Sequence, residues 1–523
     1  MTKTLTVKIL PGECWWGGTT LRKFCPITGQ SRYLLDMREG ALNQTAPFFV
    51  SSEGRYLFSA GPFRIEALDG ELRLEGEEEL LLSEEAASLR EAYLLAQKRH
   101  FPCDGAPLCK DFFRLPQFNS WIQFTYDPTQ EGVLRYAREI LGNGYEPGIF
   151  ILDEGWTEHT AYGTWEFDRS RFPDPGAMVA ELHRLGFRVM LWVTPFVSPN
   201  GPAYVRSRRK LLGSEPGEAE RLYLRTDTGE VALVRWWNGV SAILDMTDEV
   251  NRRFLERQLT KLQNEYGIDG FKFDGGTTEH YGDVCCLNGR VDRARTPAER
   301  NRAWNEFGRR YAFHEFKDTY FGGGRNGIQR LHDRDHSWTG NGIGELIPCA
   351  AVCGLIGHPF VCPDMVGGGE WQNRVTPGFT VDEELFVRMA QCSALFPMMQ
   401  FSWAPWEALS PENARLCLEA ARLHSSLADE IVRLAEAAEQ SGEPLVRLLE
   451  YADPHQGFAE IDDEFLLGED ILSAPVIAKG TREREVVFPA GRWTDAEGRI
   501  YEGRRKYLLP APLETLLWFR RIR

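Results

Sequence analysis

The chain has 523 residues, 43% hydrophobic and 26% charged, which excludes a wholly disordered protein and allows a full-sized core. A formal net charge of −16 with no Lys/Arg-rich tract argues against a nucleic-acid partner. No run of about 18 apolar residues occurs, so no membrane partner is expected.

The start, MTKTLTVKILPGE, lacks the apolar stretch of a secretory signal. Eleven scattered cysteines without a CxxC spacing read as reduced thiols of a cytoplasmic protein. Residues 1–116 read as an N-terminal β-sandwich. Short runs at 5–10, 48–51, 55–59 and 63–68 are separated by Gly, Pro, Asn and Asp, and 84–97 carries a helical pattern. From Pro116 the rhythm changes, and strand-like runs alternate with longer helical patterns, as in βα units around a parallel sheet. Candidate strands lie at 120–125, 148–153, 188–194, 270–274, 328–333, 358–362, 397–402 and 445–451. Helical patterns lie at 129–141, 175–185, 250–266 and 298–316. The expected fold is α/β, a (β/α)8 TIM barrel over 117–452. Segment 198–241, with Trp236 and Trp237, reads as an excursion from the barrel rim. Short runs at 466–477, 484–488, 491–494 and 507–509 suggest a small C-terminal β-domain over 453–523.

Several barrel strands stop at an acid: Asp153, Asp274, Asp333 and, after the sixth, Asp364. In a barrel these strand ends converge on one mouth. A carboxylate in an apolar strand is costly unless paired or used. One such Asp reads as a helix cap, but four on one barrel read as a shared acidic site. Lys272 and Asp274 point to the same side of their strand. An ammonium there keeps the acid ionised, as a nucleophile requires, although an internal salt bridge is the plainer reading. Gly275 and Gly276 permit a sharp turn and close ligand approach. Paired carboxylates offer glycosidic cleavage as one option, with retention requiring a separation of about 5–5.5 Å. Asp274 and Asp333, one βα unit apart, suit that arrangement.

His332 and His336 flank Asp333 and Asp335, but no HExxH or Cys/His cluster supports a metal, and none is expected. The G-x-G-x-x-G match at Gly322, Gly324 and Gly327 precedes a strand rather than joining strand to helix, so no dinucleotide cofactor is expected. Neither a G-x-S-x-G nor a phosphate-binding loop motif is present.

At these residues the chain resembles glycoside hydrolase family 31, the retaining α-glycosidases. Phe271-Lys272-Phe273-Asp274-Gly275-Gly276 is similar to the nucleophile strand of the family's α-galactosidase-like branch. Asp333-Arg334-Asp335-His336-Ser337-Trp338 resembles that branch's acid/base segment, with Asp333 as the match and Asp335 as the fallback. The segments 360–368, 165–175 and 467–476 resemble further family stretches. The resemblance implies a cofactor-free, metal-free double displacement in which Asp274 forms a β-glycosyl ester and Asp333 shuttles the proton. It departs from many family α-glucosidases. Lys272 and His332 replace their usual residues, and Gln400-Phe401-Ser402-Trp403 stands where a His is usual. Nominated sugar contacts are Asp153, Trp192, Trp236, Lys272, Arg330, Asp364 and Trp403. The Cys14-Trp15-Trp16-Gly17-Gly18 loop is a further element for the barrel mouth. The expected activity is exo-hydrolysis of a small carbohydrate, α-galactoside first. α-Glucoside, N-acetyl-α-galactosaminide, sulfoquinovoside and α-transglycosylation are the alternatives. A non-catalytic carbohydrate-binding relative would lack one of the two acids. A homo-oligomer is left open.

Overall fold

The structure, a computed structural model, describes residues 2–21, 26–40, 43–158, 162–201, 204–205 and 222–523. Of the excursion expected at 198–241, positions 202–203 and 206–221 lie outside the described residues. The chain divides into two compact units. The first comprises Met1–Arg38, Gln44–Gln117 and Gly322–Arg523, and the second Glu39–Asn43 and Phe118–Phe321.

In the first unit, Lys3–Lys8, Glu71–Gly76, Phe63–Leu68 and Tyr33–Asp36 form an antiparallel sheet in that order. Trp15–Thr19, Gln44–Ser51, Tyr56–Phe58 and Leu81–Ser83 form a second. Phe63, Ile65 and Ala67 alternate inward along their strand. Phe49 of the second sheet meets the rings of Tyr33 and Phe63 of the first at 6.4 and 6.2 Å, so the two sheets share a core. Trp15 and Trp16 stand in a strand rather than a loop, and both are buried. Helix Leu89–His100 follows, its first turn capped by Ser88.

The fold is a (β/α)8 barrel whose sheet counts nine strand segments, all parallel where they pair within a unit. They are β1 (Gln117–Asn119), β2 (Ile149–Leu152), β3 (Arg188–Val193), β4 (Gly270–Phe273), β5 (Phe313–Phe316), β6 (Ile328–Arg330), β7 (Val361–Cys362), β8 (Met365–Val366) and β9 (Gln400–Phe401). The second unit holds β5-β4-β3-β2 in that order, with Phe118 and Asn119 of β1 beside β2. In the first unit β6 pairs β7, and β8 pairs β9. β7 and β8 are one run interrupted at Pro363-Asp364, so the nine segments are eight strands.

These eight are not the eight read from the sequence. The first strand ends at Asn119, and the run expected at 120–125 contains the helical turn Trp121–Phe124. β5 lay hidden inside the helical pattern at 298–316, where helix Pro297–Gly308 stops and the chain re-enters the sheet. Gly308 is required there, because a Cβ would meet the Phe316 ring at 2.5 Å and the Phe273 ring at 2.8 Å. The run at 445–451 supplies Val446–Arg447 to the C-terminal sheet instead, where it pairs with Phe465–Leu467. That six-stranded sheet continues through Ile471–Ser473, Trp518–Ile522, Arg492–Thr494 and Ile500–Glu502. Its core is built on Leu466, Leu472, Phe488, Trp493 and Phe519.

The start of β4 requires glycine because backbone approaches it closely. A Cβ at Gly270 would lie 2.0 Å from the Phe313 carbonyl oxygen. Gly270→Ala is expected to destabilise the protein by about 3 kcal/mol, since overpacking against backbone has no cheap relief. A lowered urea midpoint checks this, and an unchanged midpoint refutes the close approach.

Candidate active site

In the second unit the acids gather at the ends of β2 and β4. Asp153 follows β2 and is buried. Its Oδ2 accepts the Lys272 Nζ donor at 2.6 Å and the Asn119 Nδ2 donor at 2.8 Å. Its own backbone N–H donates to Ser120 Oγ at 2.8 Å. Lys272 is itself buried on β4, in register with Trp192 of β3. The plainer reading of Lys272 therefore holds: its ammonium forms an internal ion pair with Asp153. Buried pairs of this kind are stable only while both partners remain.

Asp274 follows β4. Its Oδ2 accepts the Trp192 indole N–H at 2.9 Å, and its Oδ1 accepts the Gly275 backbone N–H at 2.8 Å. Gly275 and Gly276 take φ of 64° and 67°, and a Cβ on them would meet Phe196 at 2.6 Å and Trp304 at 2.9 Å. Both conditions select glycine. His280 lies close enough to feel the Asp274 charge, yet burial lowers its pKa to about 4 and keeps it neutral. Trp192 and Trp236 both sit in an apolar cluster with Tyr162, Phe196 and Tyr281. Trp236 is stacked on Phe196 with centroids 4.2 Å apart, and its N–H donates to Ser241 Oγ at 3.0 Å. Its neighbour Trp237 is the exposed one, at 49%.

In the first unit Arg330, at the end of β6, is buried and links two acids. It donates to Asp333 Oδ1 at 2.8 Å and forms an ion pair with Asp364. Asp364 is buried, and its Oδ2 accepts the Arg334 and Gly369 backbone N–H groups at 2.7 and 3.0 Å. Asp364 has a φ of 144°, a strained conformation for a residue with a Cβ, at the break between β7 and β8. Asp333 keeps 21% side-chain exposure. Asp335 instead accepts from Asn373 Nδ2 at 3.3 Å. His336 has both nitrogens engaged: Nδ1 contacts the Gly367 carbonyl at 2.8 Å and Nε2 accepts the Asp382 N–H at 2.9 Å. Arg334 is fully buried and donates to Asn341 Oδ1 at 2.9 Å. Trp403 is nearly buried, with Phe379 stacked at 6.1 Å and the Arg374 guanidinium 5.1 Å from its ring centre.

Sequence reasoning passed over Glu154. This side chain is buried beside Asp153 and accepts the Tyr162 hydroxyl at 2.7 Å and the Trp237 indole N–H at 3.2 Å. Burial pushes its pKa up to about 8, with the charges of Asp153 and Asp274 adding to the rise. The doublet Asp153-Glu154 was the available signal, but two adjacent acids read equally well as one strand-end acid and one solvated neighbour.

Two outcomes follow from these environments. Lys272→Met should destabilise the protein by about 3–5 kcal/mol, because Asp153 would remain buried without its cation. Adding Asp153→Asn should recover most of the loss in urea denaturation. Glu154 binds its proton more tightly folded than unfolded, so its contribution to stability is complete below its ordinary pKa of 4.5 and is lost as pH rises through about 8. Glu154→Gln should flatten the fall in melting temperature over that window, and an unchanged slope would contradict the raised pKa.

Residues 117–429 match the Glycosyl hydrolases family 31 TIM-barrel domain, and residues 442–521 match the Glycosyl hydrolase family 31 C-terminal domain. The chain is 31% identical over 426 residues to the myogenesis-regulating glycosidase of Mus musculus, covering 80% of this chain and 57% of that protein. It is 26% identical over 427 residues to alpha-glucosidase 2 of Bacillus thermoamyloliquefaciens, covering 75% and 50% respectively. This chain therefore spans about half the length of these relatives. Among solved structures, the cycloalternan-degrading enzyme from Trueperella pyogenes superposes with a TM-score of 0.83 at 18% identity, covering 100% of this chain and 81% of that one. The Flavobacterium johnsoniae dextranase FjDex31A superposes with a TM-score of 0.81 at 17% identity, covering 99% and 66%. With the family's barrel domain matched over more than half of its residues, the chain belongs to glycosyl hydrolase family 31.

Proposed function

We propose that the chain is a retaining, exo-acting α-glycoside hydrolase in which Asp274 is the nucleophile and Asp333 the acid/base. The match of the barrel to family 31, with an acid at the end of β4 and another just beyond β6, carries this reading. Two N–H donors, from Trp192 and Gly275, favour the ionised form of Asp274 and aim it. Attack on the anomeric carbon would give a covalent ester, and water would then release the sugar with its configuration kept. The proton departs from Asp333 to the leaving oxygen and returns to it from that water. Asp333 is preferred to Asp335 because it shares Arg330 with the buried Asp364 and keeps 21% side-chain exposure. Lys272, Asp153, Arg330, Asp364, Trp192 and Trp403 would border the sugar. Trp236 is the weakest nomination, since its ring and N–H are both engaged in the cluster.

An α-glucoside is the substrate class best supported. Relatives at 26% and 24% identity, from Bacillus thermoamyloliquefaciens and Bos taurus, are named as α-glucosidases. An α-galactoside, the first expectation from sequence, is the second reading. It is favoured by Lys272, which the resemblance places where many family α-glucosidases differ, and which here pairs with Asp153. A cytoplasmic location also remains part of the proposal. No helix among the described residues is long and apolar enough to cross a membrane, and none of the described cysteines forms a disulfide.

Nitrophenyl α-glucoside, α-galactoside and α-xyloside should be compared directly, with the glucoside expected to turn over fastest. NMR of the first-formed sugar should show the α-anomer. Asp274→Ala should lower kcat/KM by roughly 1,000-fold or more on every substrate. Asp333→Ala should partly spare nitrophenyl leaving groups, which need little protonation. Near-full activity of Asp274→Ala, or a β-anomer product, refutes the mechanism.

A further inference from the structure

The loop that carries Asp333 lies wholly in the first unit and runs from the end of β6 to the 3-10 turn Ile343–Glu345. Residues 331–342 form neither helix nor strand. The loop is nevertheless closed on itself. The Asp335 N–H donates to the Asn341 carbonyl at 2.9 Å, and the Ile343 N–H to the Ser337 carbonyl at 3.0 Å. Asn341 Nδ2 donates to the Asp333 carbonyl at 2.7 Å, while its Oδ1 accepts the Arg334 guanidinium at 2.9 Å. A Cβ at Gly342 would lie 1.9 Å from the Ser337 carbonyl oxygen. A loop closed this tightly shifts as one piece, so whatever holds its tip also places Asp333.

The tip is held by Asp382. This residue caps helix Glu383–Ser393, its Oδ1 accepting the Leu385 N–H at 3.2 Å. A cap needs one oxygen, and with Leu385 at the third helical position no side chain reaches back to the cap's own N–H. The rest of Asp382 serves the loop instead. Its Oδ2 accepts the Trp338 indole N–H at 2.9 Å, together with the Lys479 ammonium at 2.6 Å. Its backbone N–H donates to His336 Nε2 at 2.9 Å. The ring proton of His336 is therefore on Nδ1, which donates to the Gly367 carbonyl at 2.8 Å. Burial lowers the His336 pKa, which favours this neutral form. Lys479 belongs to the C-terminal β-domain and is 65% exposed, so its ion pair adds little stability. The bonds converging on Asp382 exceed what starting a helix requires, and those to Trp338 and His336 end on the Asp333 loop.

We propose that Asp382 is a positioning residue for the acid/base: through Trp338 and His336 it fixes the loop from which Asp333 gives and regains its proton. The proposal rests on the reading of Asp333 as the acid/base. Displacing a reacting group by about 1 Å can cost up to about a hundredfold in rate. For a proton donor, that loss falls on substrates whose leaving oxygen needs the proton.

The test compares kcat/KM on the methyl and nitrophenyl α-glycosides of whichever sugar the wild type turns over fastest. A methoxide leaving group must be protonated as it departs, and a nitrophenolate need not be. Trp338→Phe keeps the aromatic body but deletes the N–H, and Asp382→Asn keeps one oxygen for the helix cap. Each should lower kcat/KM about tenfold on the methyl glycoside and less than about twofold on the nitrophenyl glycoside. The double variant should lose no more than Asp382→Asn alone, because the two residues share one bond. Amide hydrogen exchange over residues 334–342 should be faster in both single variants. Equal losses on the two leaving groups would mean a merely structural role and overturn the proposal. So would multiplying effects in the double variant, or unchanged exchange over 334–342. A wild type that cleaves no α-glycoside refutes the acid/base reading itself, and the proposal falls with it.

Discussion

Buried cations set among carboxylates are the constraint on which the candidate site depends. Moving a carboxylate from water into a protein interior costs several kcal/mol unless a partner compensates. The two units meet that cost in different proportions. In the second, Lys272 pairs with Asp153, and Asp274 accepts N–H donors from Trp192 and Gly275. Those donors stabilise a negative charge, which suits the nucleophile's role proposed for Asp274. In the first, Arg330 is shared by Asp333 and Asp364. Burial raises the pKa of Asp364, and its neighbour Asp333 stays partly exposed.

Holding these groups required the strands to end abruptly. After β4 the chain passes through two left-handed glycines that press against Phe196 and Trp304. Between β7 and β8 the break falls on Asp364, which carries a Cβ in a conformation that usually excludes one. The cost is tolerated because its carboxylate is fixed by Arg330 and two backbone N–H groups. Gly369 completes the cradle, since a Cβ there would stand 2.8 Å from Asp364 Oδ1. The sandwich contributes as well. Gln44 of its second sheet donates to the Arg330 carbonyl at 3.1 Å, bracing the end of β6 from outside the barrel.

Most of this was legible from the chain because acids in apolar runs are rare and local. Asp153, Asp274 and Lys272 stand where strand alternation puts them, and the change of rhythm near Pro116 marked the start of the barrel strands. β5 was not legible. Its Phe313-His314-Glu315-Phe316 carries two polar residues yet is buried throughout, and it follows closely on a helix that holds Trp304 and Phe307. Periodicity cannot separate strand from helix in so short a run, and only the steric demand at Gly308 marks the boundary. The run at 445–451 failed for the opposite reason. It has the apolar character of a barrel strand, but its partners Leu466 and Leu467 lie further on, in the C-terminal sheet. Arg334 shows a third limit, because charge alone gives no sign that Asn341 and a full enclosure await it.

The Trp236-Trp237 pair shows where sequence reasoning stops in principle. Consecutive residues at a strand end face opposite sides, so one indole of such a pair is expected inside and the other outside. Which one is decided by hairpin register, and the sequence between 233 and 243 permits more than one. In the structure Trp236 pairs with Gly239, which leaves Trp237 and Asn238 as the turn and sends Trp236 onto Phe196. A slip of one residue would exchange the two rings. In the observed register the Trp237 and Asn238 donors reach the carboxyl of Glu154, about 80 residues earlier in the chain, and Trp236 fills the apolar cluster. A long-range hydrogen bond to a buried acid thus supports the register that exposes Trp237, and no local pattern in the excursion could have revealed it.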